Sequence, residues 1–395
     1  MERDPFKEYL KESEPDKARK GYVWSTAIGL QAVDGLRPSE YLIDTAIRNI
    51  EGKITLKEAK KLIDSYYEER AGHLPDSDRT EEADKVSSRI AEILSETAFS
   101  FSPNEYTSIH RKLFQGIYGH AGKIREYNIT KKEWVLDGAT VVYGSASELR
   151  ATLEYDLLQE QNFSYKGLTM HEIIHHLAVF VSRLWQIHIF EEGNTRTTAV
   201  FFIKYLRTLG FPVANDIFAD NAWYFRNALV RANYTNLQKG IHETTEYLEV
   251  FLKNLLLNET NELHNRNLHI EGVWKAEKAD IGDKKTGIGA EKVNIEDKKV
   301  DIGNKKVDIE DKKVDIESLI FGKTGGFSAK TIVYIHRLFD EFGFNGVFGR
   351  GAAAELLGLK HSSASKMISK LVQAGIVEPV SGHGKGKYKF RETTD

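Results

Sequence analysis

The sequence predicts a mainly α protein built from more than one unit, and three observations carry that prediction. Apolar residues recur three and four apart from the first residues to about position 260, the spacing of amphipathic helices. One β-like stretch, "EWVLDGATVVYG", interrupts that pattern and places Asp137-Gly138 between two short β-prone runs, a hairpin signal. Near position 279 the character changes to a charged seven-residue repeat, and beyond 322 helical patterning returns. With 395 residues the chain exceeds what one compact domain needs, and 41% hydrophobic residues suffice for real cores.

Composition excludes several classes. A net charge of −3 rules out polyanion binding by bulk electrostatics, so any nucleic-acid contact needs a local patch. With 0 Cys there is no disulfide framework, thiolate nucleophile or cysteine zinc site. The opening "MERDPFKEYLKESEPDKARK" has no apolar core of a secretory signal, and no run approaches the roughly 20 apolar residues of a membrane span. The expectation is a soluble, cytoplasmic protein with no membrane partner.

Taken in order, residues 1–75 read as helices, with "EGKITLKEA" supplying a turn and a new cap at Thr55. Residues 80–262 read as long, well-filled helices around the expected hairpin. Residues 275–318 form a linker in which Ile recurs at 281, 288, 295, 302, 309 and 316. Its apolar spacing of two and five, as in Val293/Ile295 and Val300/Ile302, makes no coiled-coil stripe. Both a charged spacer and short stacked strands fit. Residues 322–395 read as three helices followed by a basic hairpin, an order that resembles the winged helix-turn-helix family. That resemblance implies a third helix entering the major groove with Ser362, Ser363, Ser365 and Lys366, and a wing offering Lys385, Lys387 and Lys389 to phosphates. DNA is therefore a candidate partner, with docking to another protein as the alternative.

Two short stretches carry chemistry. "HEIIH" at 171 matches H-E-x-x-H, the zinc-protease pattern, with Glu191 or Glu192 downstream as a further ligand. Three fixed residues in a helix arise readily by chance, and the following "HLAVFVSRLWQIHIF" continues the helix without a turn toward another ligand, so a helix face with hydrogen-bonded histidines is the plainer reading.

"HIFEEGNTRTTAVFF" at 188 is denser. An apolar helix ends near His188, Phe190 plugs the loop into the core, and Gly193 and Asn194 tolerate left-handed backbone that cradles anions. The next helix begins near Thr195 and points its N–H groups back into the loop. Arg196 adds a planar cation suited to phosphate, Glu192 a carboxylate suited to Mg²⁺, and His188, at the rim, a general base. Together they point to binding a di- or triphosphate and activating a hydroxyl beside it. An ordinary helix-loop-helix turn with a capping Asn does not explain the combination.

This stretch resembles the signature of the Fic family, H-x-F-x-[D/E]-G-N-G-R-x-x-R, at His188, Phe190, Glu192, Gly193, Asn194 and Arg196. "GKIR" (Gly122 to Arg125) resembles the family's upstream Gly-x-x-Arg segment, the 133–144 hairpin falls where the family has its target-clamping flap, and Asn233 matches a residue near the base. The resemblance implies AMP transfer from ATP, with Mg²⁺, to a hydroxyl of a target protein, which includes the chain itself. In that scheme His188 is the base and Glu192 positions Mg²⁺. Gly193, Asn194 and Thr195 at the helix N-terminus stabilise the α-phosphate, Arg196 neutralises the β-phosphate and Phe190 anchors the loop.

Two departures stand out. Thr195 replaces the motif's second Gly, and Ala199 replaces its final Arg, the γ-phosphate grip. A slower AMP transferase, another nucleotide donor and a nucleotide-sensing transcriptional regulator all stay open on this ground. The N-terminal region resembles the antitoxin-like inhibitory segment of some Fic proteins, [S/T]-x-x-x-E-[G/N], with Leu30 in the Ser/Thr place and Asp34-Gly35 in the Glu-Gly place. With Ala199 unable to pair with Asp34, inhibition is expected to be weak or to act through another cation such as Arg196. A helix end with a capping glycine is the simpler reading of the same two residues. The sequence leaves the oligomeric state open.

Overall fold

The computed structural model describes residues 4–11, 14–70, 77–213, 216–271, 327, 329–380 and 386–391. The expected repeat linker lies outside them, as does Lys385. The chain divides into two compact units, one of Met1–Phe163, His175–Thr208 and Pro212–Gly282, the other of Ser164–Ile174, Leu209–Phe211 and Asp283–Asp395. Among the described residues no helix is long and apolar enough to cross a membrane.

The first unit is helical. Its N-terminal part holds α1 (Pro15–Gly29), α2 (Glu40–Ile50), α3 (Leu56–Arg70) and α4 (Ser77–Ser95). Then follow α5 (Pro103–Phe114), α6 (Leu149–Asn162), α7 (Met170–Ile187), α8 (Asn194–Leu209), α9 (Ile217–Arg231) and α10 (Glu246–Leu257), the first five residues of α7 and the last of α8 being assigned to the other unit. α8 is the central helix, buried from Asn194 through Leu206. The cap expected at Thr55 is present: its amide and hydroxyl donate to Glu58 at 2.7 and 2.8 Å, and its hydroxyl accepts from the Glu58 amide.

Four helices of the N-terminal part are tied by one buried acid and one close approach. Asp84 on α4 accepts from the Ser39 amide at 2.8 Å at the start of α2 and from the Tyr67 hydroxyl of α3 at 2.7 Å. α1 lies against α4 and α9. Its last residue, Gly29, comes so near α9 that an added Cβ would stand 2.4 Å from the Ala219 Cα. Beyond Gly29 a 3-10 turn, Leu30–Asp34, ends on Gly35 at φ 67°. The capping-glycine reading of Asp34-Gly35 is therefore correct as local structure.

The expected β-hairpin at 133–144 is not built from strands. Trp134–Leu136 form a 3-10 turn, Asp137 and Gly138 are both left-handed, and the Glu133 amide donates to Ala139 at 2.9 Å. The chain does double back at Asp137-Gly138. Val135, Leu136 and Val141 are buried, however, so packing against the core sets the backbone instead of a ladder of cross-strand bonds.

The second unit contains α11 (Ala329–Phe342), α12 (Arg350–Leu357) and α13 (His361–Gln373), with a sheet of β1 (Phe348–Gly349), β2 (Val377–Pro379) and β3 (Lys387–Phe390). The sheet is antiparallel in the order β1-β3-β2, and Phe348 pairs with Tyr388 and Val377 with Phe390. The two-residue β1 carries too little alternation to be read from sequence. Ile332, Leu338, Phe348, Ile368, Leu371 and Phe390 form the core.

Gly29→Ala tests the close approach. Helix propensity favours Ala by about 1 kcal/mol, whereas overpacking a core costs about 1–3 kcal/mol, and here the clash is with backbone that cannot rotate away. The expected result in denaturant titration is a net loss of stability with an unchanged m-value.

Candidate active site

The loop between α7 and α8 closes on itself before it contacts anything else. The Asn194 side chain accepts from the Phe190 amide at 3.0 Å and donates to the Phe190 carbonyl at 2.8 Å. Gly193, at φ 75°, is the acceptor for the Thr197 amide and hydroxyl, which makes it the N-cap of α8. An added Cβ at Gly193 would lie 2.4 Å from the Phe114 ring, so only glycine fits. Asn194 is already helical, and the N–H groups of Asn194, Thr195 and Arg196 have no intrahelical carbonyl and face the loop.

Phe190 is the plug the sequence suggests. It is fully buried and stacks on His110 with ring centroids 3.7 Å apart. His110, on α5, bonds on both sides: its Nδ1 accepts from the Gly122 amide at 2.8 Å, and its Nε2 donates to the Glu192 carbonyl at 3.0 Å. Burial lowers its pKa to about 3, so the ring is neutral and this tautomer is the one the two contacts require. Arg125 braces the other flank. Its guanidinium donates to the carbonyls of His188 at 2.8 Å, Tyr127 at 2.5 Å and Gly144 at 2.6 Å, and its amide donates to Ile189.

His188 is not at the rim. It is 4% exposed, its backbone is left-handed at φ 51°, and among the described residues neither ring nitrogen has a hydrogen-bond partner. Burial, and then the charges of Lys131, Arg125 and Arg226, hold its pKa well below the ordinary histidine value. The imidazole is therefore neutral near pH 7, the form a proton acceptor needs. Glu192 is exposed, and its carboxylate pairs with Lys131 at 2.9 Å.

Arg196 is 1% exposed and points away from solvent. Its guanidinium meets Asp34 at 2.8 Å and Glu82 at 2.6 Å, donates to Gln31 at 3.0 Å and to the Tyr118 hydroxyl at 3.1 Å, and lies over the Phe114 ring. Burial opposes the charge, but Asp34, Tyr118 and Glu82 outweigh it and keep the group cationic. Asp34 thus reaches the 188–196 loop through Arg196, and Glu82, Gln31 and Tyr118 join it without any signal in the sequence.

Other expected residues lie elsewhere. The Asn233 side-chain amide donates to the carbonyls of Ser182 on α7 at 3.1 Å and of Leu229 in the last turn of α9 at 2.9 Å. Thr195 turns inward and accepts from the Trp185 indole at 3.0 Å. Ala199 is fully buried. In "HEIIH", Glu172 is a capping-box acid that accepts from the Thr169 amide and hydroxyl at 2.8 and 2.9 Å, while exposed His175 pairs with Glu249 at 2.8 Å. A motif match is explained here by helix capping.

Residues 100–206 match the model of the Fic/DOC family. This stretch is a Fic/DOC domain. A Bartonella schoenbuchensis protein described as protein adenylyltransferase VbhT is 28% identical over 113 residues, which cover 29% of this chain and 22% of that protein. The chain thus matches about a fifth of the relative's length. The solved structure of a Fic family protein from Desulfovibrio desulfuricans G20 is similar at a TM-score of 0.37 and 10% identity, covering 99% of this chain and 95% of that one. The Fic/DOC domain thus spans α5 to α8 and contains the whole 188–196 loop.

The neutral, buried His110 predicts acid sensitivity. Its folded pKa of about 3 lies below the ordinary 6.5, so the unfolded chain binds the proton first as pH falls. Stability is full above about pH 6.5 and declines below it, by about 2 kcal/mol at pH 5 from this residue alone. Denaturant unfolding at pH 8 and pH 5 should show that loss in the wild type and a smaller pH dependence in His110→Gln.

Proposed function

We propose that the Fic/DOC domain is a protein adenylyltransferase that moves AMP from ATP to a hydroxyl side chain of a target protein. The observation that carries this reading is a neutral, buried imidazole, both nitrogens without a hydrogen-bond partner among the described residues, in the loop that leads into the N-terminus of α8. His188 takes the proton of the target hydroxyl. The hydroxyl oxygen bonds to the α-phosphorus of ATP, the bond from that phosphorus to the bridging oxygen breaks, and pyrophosphate leaves. The N–H groups of Asn194, Thr195 and Arg196, with Gly193 at the turn, stabilise the charge that develops on the α-phosphate.

Glu192 fits a magnesium ion, since it is exposed beside those N–H groups and Mg²⁺ needs only one or two carboxylates next to phosphates. A magnesium ion held by Glu192 would supply neutralisation of phosphate charge, in place of the Lys131 ammonium that pairs with this carboxylate.

Arg196 can meet the β-phosphate only after leaving Asp34 and Glu82. The N-terminal turn at Asp34-Gly35 is therefore the regulatory element, and it acts through Arg196 in place of a γ-phosphate arginine, since Ala199 carries no charge. With that arginine missing, other nucleotide donors remain a second option for the same site. The Asn233 side chain is engaged with the Ser182 and Leu229 carbonyls, and no step of this mechanism is assigned to it.

The second unit supports a separate role. Its three helices and small sheet have the order of a winged helix-turn-helix. α13 buries Ala364, Met367 and Ile368 while exposing Ser362, Ser363 and Lys366, and Lys387 is exposed on β3. We read it as a DNA-binding module, which makes a nucleotide-sensing regulator the second function. In that case His188→Ala leaves DNA binding intact.

Intact mass after incubation with ATP and Mg²⁺ tests the chemistry. The wild type should gain AMP slowly, His188→Ala at least about 100-fold more slowly, and Asp34→Ala faster than wild type. If no AMP is transferred to the chain or to proteins of a cell lysate, even by Asp34→Ala, the adenylyltransferase reading is wrong.

A further inference from the structure

An imidazole that serves as a base is ordinarily oriented by a hydrogen bond to its second nitrogen. His188 has none among the described residues, on either nitrogen. Its walls are aromatic. The Tyr143 ring packs on it at 4.3 Å between centroids and 42°, and the Trp185 ring meets it edge-on at 5.4 Å and 88°.

Both walls are fixed from behind. The Trp185 indole donates to the Thr195 hydroxyl, so the residue that replaces a glycine of the Fic pattern has a defined task here. The Tyr143 hydroxyl donates to Glu133 at 2.9 Å, and the other oxygen of that carboxylate meets Arg226 of α9 at 2.6 Å. Glu133 is 0% exposed, and its backbone also holds the 133–139 turn through Ala139 and Gly138. A buried carboxylate persists only when paired, and apolar residues of equal volume would fill the same space at lower cost. The chain instead keeps a directional link from α9 through the doubled-back loop to the face of His188.

We propose that Tyr143 and Trp185 form an aromatic clamp that orients the His188 ring by packing, with Glu133, Arg226 and Thr195 as the positioning residues that hold the clamp. Orientation by packing leaves both ring nitrogens available, one for the proton of the incoming hydroxyl. This proposal rests on the reading of His188 as the base, but its structural half can be read without any reaction. Thr195→Val removes the acceptor for the indole at nearly constant shape. Tyr143→Phe keeps the ring and removes its tether.

The experiment uses the full chain labelled with ¹³C-histidine and compares the Cε1–H resonance of His188, assigned from its absence in His188→Ala, across wild type, Thr195→Val and Tyr143→Phe. In parallel, AMP transfer is followed against ATP concentration. Both variants are expected to shift and broaden the His188 resonance as the rings loosen. They should also lower kcat by about 10–100-fold, the size of effect that lost outer-shell partners produce, with KM for ATP unchanged. A His188 resonance identical in all three proteins overturns the clamp, whatever the transfer rates. A resonance that moves in both variants while no protein transfers AMP supports the clamp and places the failure in the adenylyltransferase reading.

Discussion

A guanidinium sealed from water needs anions around it, and Arg196 draws its four polar partners from three separate parts of the first unit. Asp34 and Gln31 come from the turn after α1, Glu82 from α4, and Tyr118 from the segment after α5. Removing one acid leaves the charge partly paired, whereas removing both leaves a buried cation with only Gln31, Tyr118 and the Phe114 ring to offset its desolvation. The position of the N-terminal helices against the Fic/DOC domain and the state of its arginine are therefore one constraint. The close packing of Gly29 on Ala219 and the Asp84 ties among α2, α3 and α4 hold the turn where Asp34 reaches Arg196.

The loop itself is stabilised by hydrogen bonds to its own backbone groups. Asn194 closes Phe190, His110 joins Gly122 to Glu192, and Arg125 gathers three carbonyls, so the backbone around His188 keeps its shape whether or not Arg196 is engaged. This division explains how a left-handed His188 is tolerated, since the surrounding bonds over-determine its backbone. It also separates two energies. The loop's geometry depends on hydrogen bonds to backbone carbonyls and amides, whereas the restraint on Arg196 comes from paired carboxylates, and its burial limits screening.

Much of the site was legible because it is local. His188, Phe190, Glu192, Gly193, Asn194 and Arg196 lie within nine residues, and the helix boundaries on either side follow from apolar spacing. The three helices of the second unit were legible for the same reason. The hairpin at 133–144 was misread because its alternation of apolar residues reflects burial of Val135, Leu136 and Val141 on the core and not pairing with another strand. "HEIIH" was legible as a plain helix face, and the structure gives its Glu172 to a capping box and its His175 to Glu249.

By itself the sequence determined what is periodic or contiguous, the helical class and the loop with its glycine, and only the resemblance to the Fic pattern singled out Asp34 and Ala199. Only the tertiary structure decided the partners. Glu82 sits on the polar side of an ordinary amphipathic helix, and nothing local distinguishes it from Glu81. Whether Arg196 faces a phosphate or a carboxylate depends on Asp34 and Glu82, more than a hundred positions away, and the Tyr143 ring beside His188 is likewise distant in sequence. Chain folding, acting through burial and charge, brings those residues within 3 to 5 Å.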